Sequence, residues 1–125
     1  VINECEETVK RMIHKYKQVV FISKSLGTII AGEVHNRLGL SIKHIFITPL
    51  HDSVAFINST EGIVIYGSND NVFNKEIASQ IKSSNHLRLI EVSNADHSLE
   101  TGDVEENLFI LRSLVSTQID YLSKM

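Results

Sequence analysis

Val19-Val20-Phe21-Ile22-Ser23-Lys24-Ser25-Leu26-Gly27-Thr28 decides how the rest of this 125-residue chain is read. An apolar run stops at a small residue. A serine follows two places later, then a glycine, and after it Ile29, Ile30, Val34 and Leu38 recur at helical steps up to Gly39. The stretch reads as strand, sharp turn and helix, with Ser25 at the apex. So tight a turn brings the residues two before and two after the apex together, and both Ser23 and Gly27 are small. It also holds the apex in a backbone conformation that non-glycine residues rarely adopt. The Ser25 hydroxyl then points away from the sheet, and the Leu26 N–H opens a helix, where unpaired N–H groups and the macrodipole favour an anion. Ser25 is a candidate nucleophile and the Leu26 N–H a candidate oxyanion donor. Serine also favours the start of any helix, so the loops downstream must carry the rest of the case.

Composition bounds the alternatives. The length suits one domain over residues 1–125. Hydrophobic residues make up 42% and charged residues 22%, the balance of an ordinary globular protein. A net charge of −3 leaves no basic footprint for nucleic acid. No apolar stretch approaches the roughly 20 residues that span a membrane, and no secretory signal is visible. The single cysteine, Cys5, excludes an internal disulfide and fits a reducing cytosol, so a cytoplasmic location is expected. Cys5 lies on the apolar stripe of a helix and reads as a small core residue.

Taken in order, Ile2 to Lys17 has an amphipathic helical pattern, with His14 on the polar face. Val19 to Ile22 is a strand of the type buried on both faces. The helix after the turn should expose His35 and Arg37. Lys43 to Thr48 is a second strand with His44 at its entry, solvated or capped, and Pro49 ends it. Leu50 to Thr60 is weakly helical. Ile63 to Tyr66 is a third strand, followed by the loop Gly67-Ser68-Asn69-Asp70-Asn71. Asn74 to Ser84 reads as a helix and Leu87 to Val92 as a fourth strand. A polar loop, Ser93 to Glu100, contains His97. Glu106 to Lys124 closes the chain as a helix with Leu108, Leu111, Val115, Ile119 and Leu122 at helical steps. Strands alternating with helices imply an α/β fold, a parallel sheet of about four strands flanked by helices.

In such sheets, ligands sit where the strands' carboxyl ends meet their loops. Ser25, Asp70 and His97 follow the first, third and fourth strands. A serine needs a base to take its proton, and the base needs a carboxylate to fix its tautomer. Those three loops supply one of each, in the order Ser…Asp…His.

With these residues in view, the chain resembles the C-terminal half of the α/β-hydrolase fold, in the small dienelactone-hydrolase-like or serine-esterase form. The turn at Ser25 resembles that fold's nucleophile elbow, usually G-x-S-x-G, with Ser23 in place of the first glycine. Tyr66-Gly67-Ser68-Asn69-Asp70 resembles its acid loop, and Ala95-Asp96-His97-Ser98-Leu99 its histidine loop. The resemblance implies Ser25 as nucleophile, His97 as general base, Asp70 as orienting acid and the Leu26 N–H as one oxyanion donor. It implies a serine hydrolase acting on a small-molecule carboxylic ester or thioester. It also implies four earlier strands and a second oxyanion donor. With Val1 rather than Met at its start, the chain is expected to be a C-terminal fragment of a hydrolase domain.

Alternatives remain open. Asp52, after the second strand, could replace Asp70 as the acid. Asp96 adjoins His97 and reads as a loop-stabilising residue. His51 and His86 read as surface residues. No histidine and carboxylate grouping has metal-ligand spacing, so neither a metal nor a cofactor is expected. A non-catalytic hydrolase-like binding module would share the same pattern. So would a flavodoxin-like nucleotide-binding domain, but no glycine-rich phosphate loop follows the first strand. In the complete fold Val19–Ile22 would be an interior strand. Here it should be an open apolar edge, so self-association or cover by another chain is expected.

Overall fold

Four short apolar runs become four parallel strands: β1 (Val20–Lys24), β2 (Lys43–Ile47), β3 (Glu61–Gly67) and β4 (Leu87–Val92). They lie side by side in chain order in one sheet of the computed structural model, which describes residues 1–125. Register pairs Ile22 with Ile45, Ile45 with Ile63 and Ile63 with Arg88, so each connection crosses over and returns the chain to the same end. The helices are α1 (Ile2–Met12), α2 (Leu26–Leu38), α3 (Val54–Asn58), α4 (Lys75–Ala78) and α5 (Val104–Ser123).

Strand alternation divides the core between the two faces. On one face Phe46, Val64 and Tyr66 pack with Val54 and Ile57 of α3 and with Phe73, Ala78 and Ile81. On the other, Ile45, Ile63 and Ile65 pack with Ala95, Leu99 and Ile110 of α5. The interior strands β2 and β3 are covered on both sides, while β1 lies at an edge with Ile22 54% exposed. The expectation that β1 is buried on both faces therefore fails for Ile22.

Several elements differ from the sequence reading. His44 is wholly buried, its ring stacked between those of His35 and Phe46 with Phe21 edge-on. His35, expected to face water, is half-buried and hydrogen-bonds His44 at 2.8 Å. Burial holds the His44 imidazole down to about 3, with the neighbouring His35 adding to the effect. The helix expected from Asn74 to Ser84 is a single turn. Asn74 caps it at Ile77 N–H, but Asn58 then takes the Gln80 carbonyl and the Lys82 N–H, which draws the chain out of helical geometry. The first helix breaks at Met12 into a short 3₁₀ turn. In α5 the residues turned to the sheet are Ile110, Leu114 and Tyr121, and the stripe Leu108, Leu111, Val115, Ile119 and Leu122 is exposed.

Candidate active site

The turn after β1 leaves Ser25 at φ 52° and ψ −120°, a positive-φ conformation costly for a serine. Both sides of the residue are tied down. Its N–H donates to the Ile47 carbonyl at 3.0 Å, and its carbonyl accepts the Thr28 N–H at 3.0 Å. Ser23 and Gly27 do face each other across the turn. A methyl group at Gly27 would meet the Ser23 Cβ at 3.9 Å, an ordinary contact, so the turn does not require a glycine at that position.

Asp70 lies in the loop between β3 and α4. Its side chain is fully buried, and every part of its charge is met. Oδ1 accepts the Val72 and Phe73 N–H groups at 2.8 and 2.9 Å, and Oδ2 lies 2.7 Å from His97 Nδ1. A buried carboxylate is tolerated only with such partners. They also make Asp70 rigid: two backbone donors fix one oxygen, so the other can point only at the histidine.

His97 sits in the loop after β4, its side chain 27% exposed. Its Nε2 is 2.9 Å from Ser25 Oγ. The loop is built around its neighbours. Asp96 turns away from the ring and accepts the Ser98 and Glu100 N–H groups, and Leu99 takes a positive φ of 59°. The Asp70 and His97 loops are stitched together: Asn69 N–H donates to the Ala95 carbonyl at 2.9 Å, and Asn94 N–H to Ser68 Oγ at 2.7 Å. Of the alternatives, Asp52, His51 and His86 are exposed and make no hydrogen bond with this group. No cluster of three metal-ligating side chains is present.

The residues Ser25, His97 and Asp70 thus form one line of hydrogen bonds at the carboxyl end of the sheet. With Nδ1 beside a carboxylate, the histidine proton belongs on Nδ1, which leaves Nε2 free to accept from Ser25. Solved structures share this architecture. The esterase domain of a Rhodothermus marinus protein superposes with a TM-score of 0.67 at 11% identity, over 97% of this chain and 69% of its own. The chain has an α/β-hydrolase-like fold. An α/β serine hydrolase homologue from Coxiella burnetii gives 0.61 at 16% identity, over 90% of this chain and 58% of its own. The chain therefore spans only part of the length of these hydrolase-like structures. No family model and no curated protein matches the sequence.

Two features of the site escaped the sequence reading. Thr28 and Ser53, both wholly buried, join their hydroxyls at 2.6 Å behind the Ser25 turn. Thr28 stands three places after Ser25, where a back-bonding hydroxyl at a helix start is common, and that spacing is a usable signal. Ser53 carries none. Gly67 is the second feature: a Cβ there would collide with the Ala95 carbonyl.

Proposed function

We propose that this chain is the C-terminal part of a serine hydrolase domain that cleaves a carboxylic ester or thioester through an acyl-enzyme. The observation that carries the reading is the hydrogen-bonded line Ser25–His97–Asp70, at 2.9 and 2.7 Å. His97 Nε2 takes the Ser25 proton as Oγ forms a bond to the substrate carbonyl carbon. Asp70 holds the ring and stabilises the imidazolium. The carbonyl oxygen gains charge near the Leu26 N–H, which as the first residue of α2 has no partner within its helix. His97 then returns the proton to the departing alcohol or thiol. Water, activated by the same histidine, releases the acid.

Only the 3₁₀ turn His51–Ser53 and the five-residue α3 separate β2 from β3, which leaves no large lid at that position. This supports an open site and a small or flexible acyl group. The test is turnover of short-chain ester and thioester panels by the chain and by Ser25→Ala. Loss of turnover in the variant, with its fold intact, supports the reading. Unchanged turnover removes it.

A second reading is favoured by one observation. The open edge of β1 and the exposed apolar stripe of α5 are surfaces of an interaction module. On that reading the fold holds a partner, and Ser25 does no chemistry.

A further inference from the structure

We propose that Thr28 and Ser53 are positioning residues that aim the Leu26 N–H at the reacting carbonyl. The inference rests on the hydrolase reading above. Both side chains are wholly buried, and neither hydrogen-bonds the Ser25 hydroxyl. Thr28 Oγ1 lies 2.6 Å from the Ser25 carbonyl oxygen and 2.6 Å from Ser53 Oγ. A carbonyl can only accept, so the single Thr28 hydroxyl proton goes to Ser25. Ser53 must then donate its own proton to Thr28 Oγ1. The order of donation is settled as Ser53 to Thr28 to the Ser25 carbonyl.

That carbonyl belongs to the peptide plane that also contains the Leu26 N–H. The plane is trans, so its C=O and N–H point in opposite directions. Whatever pins the carbonyl also sets the direction of the donor. The Thr28 N–H and hydroxyl grip the carbonyl together, from within the helix that the donor opens. Ser53 ties this grip to the 3₁₀ turn His51–Ser53 after β2, and its own N–H is anchored on the Leu50 carbonyl at 2.9 Å. On the other side of Ser25, the last residue of β2 holds its N–H. A positive-φ serine persists only where its surroundings over-determine it, and these hydroxyls are part of that determination. A donor preset toward the developing charge needs no reorganisation during reaction.

Thr28→Val keeps the shape and removes the hydroxyl. With the full chain and an ester substrate, it should lower kcat about 10- to 100-fold with little change in KM. That is part of the 10²- to 10³-fold typical for deleting a donor outright. Thr28→Ser should restore kcat to within about threefold, because the hydroxyl returns. Ser53→Ala should lower kcat more mildly, and should add nothing in the Thr28→Val background because it acts through Thr28. The Leu26 amide resonance should move in Thr28→Val and return in Thr28→Ser, whether or not the chain turns over. Ser25-dependent turnover that survives Thr28→Val within twofold would overturn the proposal. An unmoved Leu26 amide would overturn it too. Absence of any Ser25-dependent turnover or labelling would instead strike the hydrolase reading, leaving the amide shift to decide whether Thr28 orients the peptide plane.

Discussion

Gly67, the last residue of β3, lies against Ala95 so closely that a Cβ would collide with the Ala95 carbonyl oxygen. The Asn69 N–H, in the loop that carries Asp70, donates to the same carbonyl at 2.9 Å. Gly67→Ala should push the two loops apart, lengthen the His97–Asp70 hydrogen bond and destabilise the fold by about 1–3 kcal/mol. Turnover should fall with it. Gly27→Ala, at the position whose added methyl meets only the Ser23 Cβ, should leave both nearly unchanged. Melting temperatures and ester turnover of the two variants check the contrast.

Asp70→Asn separates orientation from folding. The amide oxygen can still accept from the Val72 and Phe73 N–H groups, so the loop should hold. The amide NH₂ would then face His97 Nδ1 and drive the ring proton to Nε2, where it blocks acceptance from Ser25. Turnover should drop about 10³- to 10⁴-fold, with the circular dichroism melt little changed. Turnover within tenfold of wild type would contradict the role given to Asp70.

Acid stability should depend on His44. Its folded-state value is pushed down to about 3 by burial, against about 6.5 for a free imidazole. The unfolded chain therefore binds a proton that the folded chain refuses, between those two values. Stability is unaffected by His44 above pH 6.5 and falls as pH drops toward 3, by up to about 1.4 kcal/mol per pH unit. His44→Phe keeps an aromatic ring beside Phe46 and should flatten that dependence. Urea titrations at pH 7, 5.5 and 4.5 give the slopes, and parallel slopes would contradict the account.

The open edge of β1 should pair with a second copy. β1 ends the sheet, and its unpaired edge offers backbone N–H and C=O groups to another strand. On that edge strand Ile22 is an exposed apolar group. Sedimentation should show a concentration-dependent dimer that Ile22→Lys abolishes. A sharp monomer at high concentration would contradict it.

Much of the fold was legible because its signals are local. Four short apolar runs, each ended by small or polar residues, identify the strands. The parallel topology then puts the loops of Ser25, Asp70 and His97 at one end of the sheet. What escaped depends on groups far apart in sequence. Asn58 shortens α4 from about 20 residues away, and His44 is buried because β2 is covered on both faces by elements before and after it. Helical spacing found the stripe of α5, but α5 has a second apolar face at Ile110, Leu114 and Tyr121, and only the packing shows which one meets the sheet. Ser53 is invisible for the same reason: its importance lies in a hydroxyl 25 residues upstream.

The most direct measurement is intact-mass analysis of the chain after incubation with a fluorophosphonate, with Ser25→Ala as the control. One adduct is expected, mapped to Ser25 and absent from the variant, since His97 Nε2 stands 2.9 Å from the hydroxyl whose proton it would take. A folded chain that takes no adduct, or takes it equally in Ser25→Ala, would contradict the claim that Ser25 is an activated nucleophile.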